Sequence, residues 1–248
     1  VTALILALIA GAVVGLMLGA LGGGSVLAVP ALIYLLGFTP ASATTASLII
    51  VTATSLTALY AHARAGRVRW KAGAAFAAAG ILPAAVAGAA SAHLPQAVLT
   101  LAFAAVAALS ALKMLRPADT ARPKDGGVRP GKAAGAGAAL GTLTGLLGVG
   151  GGFLAVPALV TVLAFEMEAA VGTSLLVITA NSLASLATRS GTAASVDWAL
   201  IGPFIGTAIL GAWDGKRIAA KVSAPHLQRI FAVVLLAVAA FMLADAVT

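Results

Sequence analysis

Apolar residues run through this chain in long blocks, not in alternation. Ten blocks stand out, at 2–20, 25–37, 43–62, 72–92 and 96–115, then at 133–148, 153–165, 170–189, 198–215 and 226–245. A membrane span takes about 20 apolar residues at about 1.5 Å each, so most of these blocks predict crossing helices. A transmembrane barrel would need polar and apolar positions alternating in short strands, and runs such as Phe76-Ala-Ala-Ala-Gly-Ile-Leu82 show no alternation. The second block of each set of five is shorter, near 20 Å as a helix, and falls short of a roughly 30 Å hydrocarbon core. Each short block directly follows a glycine cluster. The simplest picture is a helix, a glycine break inside the membrane, and a short helix returning.

The two sets of five are copies of one pattern. Residues 23–32 read GGSVLAVPAL and residues 150–159 read GGGFLAVPAL. Upstream, Gly15, Gly19 and Gly22 match Gly141, Gly145 and Gly148; downstream, Thr44-Thr-Ala-Ser47 matches Val171-Gly-Thr-Ser174, and Val68-Arg-Trp70 matches Val196-Asp-Trp198. The offset drifts only from 126 to 128 across the half, which identifies an internal duplication. The expected organisation is a first repeat over 1–115, a linker over 116–132 rich in Pro, Gly and charge, and a second repeat over 133–248.

Composition agrees with the block pattern. The 248 residues are 61% hydrophobic and only 9% charged, against roughly a quarter charged in a soluble domain. No Asp, Glu, Lys or Arg occurs from Val1 to Ala63, or from Ala72 to Leu112. Such stretches cannot be coated with water-facing side chains, so a soluble fold is excluded. The first block lacks a basic leader and reads as a first membrane helix, not as a signal peptide. There are no cysteines, which removes disulfides, thiol chemistry and Cys-ligated metals. No cofactor is expected.

Charge position sets the expected topology. Fourteen of the fifteen Lys and Arg residues fall in three places: Arg64, Arg67, Arg69 and Lys71; Lys113 to Lys132; and Lys216, Arg217, Lys221 and Arg229. Basic loops collect on the cytoplasmic side, so the net charge of +8 reads as a topology signal and not as nucleic-acid binding. The loop between the third and fourth blocks is then inside in the first half and outside in the second. The halves are inverted, the linker is cytoplasmic and both termini are outside. The fold class predicted is all-α: a polytopic helical membrane protein, an inverted-topology internal repeat with glycine-broken helix pairs.

Inverted repeats with discontinuous helices are a recurring design of secondary transporters, with substrate near the bilayer midplane at the breaks. Unwound backbone in hydrocarbon costs several kcal/mol per unsatisfied group unless it lines a polar cavity. At each break, free N–H groups and the positive end of the following short helix point into the gap. The candidate substrate-binding residues are therefore Gly22, Gly23, Gly24 and Ser25 at the first break and Gly150, Gly151 and Gly152 at the second. Ser47, Thr173 and Ser174 at the starts of the third blocks join them, together with Asn181, whose amide needs several partners in lipid. The remaining glycines, Gly11, Gly15 and Gly19 with Gly135, Gly137, Gly141 and Gly145, read as close-packing surface. His62 and its repeat equivalent Arg189 are candidate gating residues at opposite mouths, against the alternative of interfacial anchors. Asp214 is a candidate coupling group, against the favoured alternative of a local pair with Lys216 or Arg217. Glu166 and Glu168 fall in a connector and are expected to be solvated.

The duplicated Gly-x-Leu-Gly-x-Gly-Gly-Gly-x-Leu-x-Val-Pro pattern, complete at 145–157, resembles the sulfite exporter TauE/SafE family, as do Val171-Gly-Thr-Ser174 and Val196-Asp-Trp198. The likeness covers essentially the whole chain. It implies an inner-membrane transporter of sulfur-containing anions such as sulfite or organosulfonates. The first-half motif departs from the pattern, since Gly19-Ala-Leu-Gly-Gly-Gly-Ser25 lacks the spacer that Val149 supplies in the second half. The partners expected are a small anionic substrate and the lipid bilayer. An intramembrane enzyme would need a nucleophile with its base, or a metal constellation, and no such motif is present in the sequence. A cation channel or permease is the rival reading, but it would want carboxylates or a carbonyl ring in its path, and the third blocks hold no carboxylate within their apolar cores.

Overall fold

The computed structural model describes residues 2–91, 96–115, 130–147, 152–188 and 197–247. They form ten helices and, among the described residues, no strand. The first five are α1 (Thr2–Leu21), α2 (Ser25–Pro30), α3 (Pro40–Arg64), α4 (Trp70–Ser91) and α5 (Gln96–Leu115); a π-helical turn, Ala31–Leu35, extends α2. The second five are α6 (Pro130–Leu147), α7 (Gly152–Thr161), α8 (Met167–Thr188), α9 (Trp198–Ala219) and α10 (Ala224–Val247). Among the described residues, α1, α10, and the greater parts of α3 and α8 are long and apolar enough to cross a membrane.

Local sequence chemistry sets several boundaries. Thr39 caps α3 by accepting the Ser42 amide at 3.4 Å, with Pro40 in the first turn, where a missing N–H is harmless. Asp197 caps α9 by accepting the Ala199 amide at 3.0 Å. Pro30 removes a donor within the first short helix, and the ladder widens into the π turn that follows it. In α7 the equivalent Pro157 sits inside an ordinary α-helix that ends at Thr161, earlier than the block pattern predicts.

Helix directions follow from named contacts. α1 runs parallel to α9: a side chain at Gly11 would meet Phe204, at Gly15 the backbone of Ala208, and at Gly19 that of Ala212. α6 runs parallel to α4 in the same way, with Gly137 on Phe76 and Gly141 on Gly80. These are intimate helix contacts, and small residues let backbones meet where lipid offers no hydrophobic drive. Gly135 does not take part, because the space where its side chain would stand is open; the packing role expected for it is corrected. The side-chain position of Gly145 lies outside the described residues.

α3 and α8 run antiparallel. Ser55 meets Thr179 near the centre of both helices, while the Arg69 amide beyond the end of α3 donates to Thr173 Oγ1 near the start of α8, at 3.0 Å. α5 and α10 are antiparallel too, with Gln228 Nε2 donating to the Met114 carbonyl at 2.6 Å. Lys216 Nζ of α9 donates to the Ala61 carbonyl of α3 at 2.6 Å. These contacts gather Lys113, the Arg64–Arg69 cluster, Lys216, Arg217 and Arg229 at one end of the bundle, with Thr2 and the end of α10 at the other. The outer surface is apolar, with Ile9, Leu82, Leu109, Leu210 and Val233 among the large exposed side chains. The interior is built largely from Ala, Gly, Ser and Thr.

Candidate functional site

The first glycine break is buried, and residues 22–24 separate α1 from α2. Gly22 has φ of 71° and touches Ser174 Oγ of α8 and Val156 of α7. A side chain there would be strained in conformation and would strike both neighbours. Gly24 folds back against Val14 and Leu18 of α1, so the chain reverses over these residues. The break of the first half is thus pressed onto the short helix and the polar helix of the second. Gly150 and Gly151 lie outside the described residues, Gly152 opens α7, and nothing is described of the Ser25 side chain.

The last carbonyls of a helix have no partner within it, and α1 ends inside the protein. His62 supplies one partner: its ring is buried, and Nε2 stands 3.3 Å from the Gly19 carbonyl. A carbonyl only accepts, so Nε2 carries the proton, and Nδ1 is left buried with no hydrogen-bond partner among the described residues. His62 therefore sits inside the fold as a cap and not at an open mouth. Arg189 lies outside the described residues. Asp214 is exposed and pairs with Arg217 at 3.6 Å, one of the two local pairs expected. Glu168 is half exposed and reaches Arg67 at 3.2 Å, which ties the loop after α3 to the first turn of α8.

The third helices carry a buried polar core where they cross. Ser55 Oγ and Thr179 Oγ1 are 3.0 Å apart, and Thr179 also donates to the Leu175 carbonyl at 2.7 Å. Thr54 donates to the Ile50 carbonyl. Further along α8, Asn181 Oδ1 and Ser182 Oγ are buried and have no hydrogen-bond partner among the described residues. Leaving a buried polar group unpaired costs about 1–3 kcal/mol. Oδ1 is an acceptor and the Ser182 hydroxyl can donate as well as accept, so hydrogen-bonding capacity is left unspent in the middle of α8.

The predicted site residues do not form one shell. Ser174 stands beside Gly22 and donates to the Val171 carbonyl at 2.8 Å, and Thr173 accepts from Arg69 near the basic end. Asn181 is about 10 Å further along α8. Ser47 is buried about 12 Å beyond Ser55 on α3, toward the opposite end. With the helices antiparallel, Ser174 and Ser47 flank the central crossing on opposite sides, about 20 Å apart along the bundle. Their separation replaces the single shell with a polar track whose middle is the α3–α8 crossing.

Compared with known families, the sulfite exporter TauE/SafE family matches residues 7–242. The chain belongs to this family. Two relatives are each called a "Probable membrane transporter protein", both from Xylella fastidiosa. That of strain 9a5c is 34% identical over 251 residues, covering 98% of this chain and 96% of the relative. That of strain Temecula1 / ATCC 700964 is 32% identical over 252 residues, with the same coverage. No solved structure matches. This TauE/SafE protein is a membrane transporter with several apolar helices, set in a lipid bilayer.

Within this TauE/SafE chain, Ser55, Thr179 and Ser182 are buried polar residues of the α3–α8 crossing that the block pattern does not single out. Their signal is the repeat register itself. Thr52 and Thr179, Thr54 and Asn181, and Ser55 and Ser182 are each 127 positions apart, and Ser55 of one such pair meets Thr179 of another at the crossing. Ser47 and Ser174 share that offset but lie nearer the helix starts, where antiparallel packing carries equivalent positions apart.

Proposed function

We propose that this protein is a secondary transporter that exports small sulfur-containing anions, sulfite or an organosulfonate, by alternating access. The anion is held at the crossing of α3 and α8. The observation that carries this reading is the Ser182 hydroxyl, buried without a hydrogen-bond partner among the described residues. It lies three residues along α8 from Thr179 of the Ser55–Thr179 pair, with the Asn181 amide next to it in the chain. A binding site built from neutral dipoles suits a transported anion, because a fixed buried cation would hold the anion too tightly to release it. Ser182 offers its hydroxyl proton, and the Asn181 amide its N–H groups when it turns them, instead of its unpartnered Oδ1, toward the anion. The Thr179 and Ser55 protons stay on the Leu175 and Thr52 carbonyls. No carboxylate stands among these groups to repel an anion, and none to attract a cation.

The packing supports an inverted repeat over 1–115 and 133–248. Contacts exchange when the halves are exchanged: α1 on α9 corresponds to α6 on α4, and α2 on α3 to α7 on α8. The equivalent helices α3 and α8, and likewise α5 and α10, run antiparallel. A two-fold axis lying across the helices produces that arrangement; one along them would make equivalent helices parallel. The basic end is the cytoplasmic one by the charge rule, with the linker inside and both termini outside, in the cell inner membrane. The first helix of each half then crosses, the short helix with its loop returns, and the third crosses again.

Rocking one repeat against the other opens the track alternately. Sulfite or a sulfonate enters past Thr173 and Ser174 from the basic side, rests at Asn181 and Ser182, and leaves past Ser47. An inside-negative potential favours outward movement of an anion by about 2.3 kcal/mol per charge per 100 mV, which makes export downhill without a coupled ion. Proteoliposomes loaded with labelled sulfite or a sulfonate provide the test. Protein-dependent efflux that rises with an inside-negative potential is expected. Cation movement without any sulfur-oxyanion flux would overturn the proposal.

A further inference from the structure

A second polar feature lies apart from the α3–α8 track. A cavity of about 410 Å³ opens between the ends of α3 and α9, lined by Tyr60, Arg64, Arg67, Trp213, Lys216 and Arg217. Four cations line it. Arg67 faces Glu168 at 3.2 Å and Arg217 faces Asp214 at 3.6 Å. Arg64 and Lys216 have no carboxylate partner among the described residues. Lys216 uses one proton on the Ala61 carbonyl, leaving two for another acceptor. Arg64 is held over the Tyr60 ring, 5.8 Å from its centroid, and donates to the Tyr60 hydroxyl at 3.3 Å. The cleft therefore carries excess positive charge.

Its surroundings identify the kind of anion. Leu56 and Tyr60 lie one turn apart on α3, and Leu210 and Trp213 lie nearly one turn apart on α9. All four are exposed, Leu210 by 68% and Leu56 by 54%. They form an apolar ridge that runs from the basic cleft up the outer surface of the bundle. Tyr and Trp favour the level of lipid headgroups, with Lys and Arg beneath them on the cytoplasmic side. A free anion on its way to the track would gain nothing from that ridge. A phospholipid would gain from both parts, with its chains on Leu56 and Leu210 and its phosphate among the cations.

We propose that the cleft between α3 and α9 binds the phosphate of an anionic phospholipid in the leaflet at the basic end. α3 and α9 belong to different halves of the duplicated pattern, so the lipid would bridge them and favour one arrangement of the two. The site is independent of which solute the protein carries. Native mass spectrometry of the purified protein, offered phosphatidylglycerol, phosphatidylethanolamine or inorganic phosphate, tests it. The wild type should retain phosphatidylglycerol over phosphatidylethanolamine, and the Arg64→Gln/Lys216→Gln variant should retain it about tenfold less well. Arg64→Gln alone serves if the double variant does not purify, since Arg64 is exposed and its hydrogen bond and ring contact are with exposed Tyr60. Equal retention of both lipids, or unchanged retention by the variants, overturns the proposal. So does variant-sensitive binding of inorganic phosphate without lipid preference, which would mark a free-anion site.

Discussion

Gly22, His62 and Asn181 each carry a distinct structural task, and they differ in how readable that task is in the sequence. The run Gly22-Gly-Gly-Ser25 announces a break but does not say which residue takes the left-handed turn. Gly22 takes it, because there the chain must leave α1 while pressed against Ser174 and Val156. Gly22→Ala should cost about 2 kcal/mol or more, from positive φ and overpacking together. Gly37→Ala and Gly66→Ala, at similar φ but in open space, should cost about 1 kcal/mol. Thermal unfolding in mild detergent compares the three. His62 looks like a mouth residue in sequence, since it stands near the end of an apolar block. The structure buries it under the end of α1, a consequence of long-range packing that no local pattern carries. His62→Ala should lose about 1–3 kcal/mol by orphaning the Gly19 carbonyl, and His62→Gln, with an amide N–H to offer, should lose less. Equal losses in the same melting assay would contradict the capping role.

At the scale of elements, the hydrophobic blocks were legible almost to their ends, because in lipid a backbone has no option but to satisfy itself within a helix. What the blocks could not show was the partner of each helix. Glycines at Gly11, Gly15 and Gly19 and at Gly137 and Gly141 read correctly as packing surface. Gly135 reads identically, and among the described residues nothing stands where its side chain would be. The difference is rotational: Gly137 and Gly141 lie four residues apart on the face of α6 that meets α4, whereas Gly135 looks away. Gly15→Leu or Gly141→Leu should therefore force apart α1 and α9, or α6 and α4, and abolish a monodisperse peak in size-exclusion chromatography. Gly135→Leu should leave that peak unchanged. Collapse with Gly135→Leu, or tolerance of Gly141→Leu, would contradict the packing described.

For the whole molecule, the three basic clusters are scattered in sequence, and described members of each, Arg64, Arg67, Lys113, Lys216, Arg217 and Arg229, meet at one end in space, through Lys216 on Ala61 and Gln228 on Met114. The duplication is read from the 126–128 offset in the sequence. The site was only half legible. Asn181 stood out as an amide in an apolar block, but the residues around it did not, because antiparallel packing of α3 and α8 decides which equivalent positions meet. Positions near the helix starts, Ser47 and Ser174, move apart, while Ser55 and Thr179 come together. The chain has no cysteines, so single introduced cysteines report topology cleanly. Ala65→Cys and Ser223→Cys should label from the cytoplasmic side and Ala199→Cys from the outside. Labelling of Ala65→Cys and Ala199→Cys from the same side would sink the inverted arrangement. The most direct measurement is sulfite efflux from proteoliposomes holding Asn181→Leu or Ser182→Ala protein. Both should purify as wild type, and Asn181→Leu should slow efflux about tenfold or more, the loss of one buried hydrogen-bonding group. Efflux by Asn181→Leu at the wild-type rate would contradict an anion site at the crossing of α3 and α8.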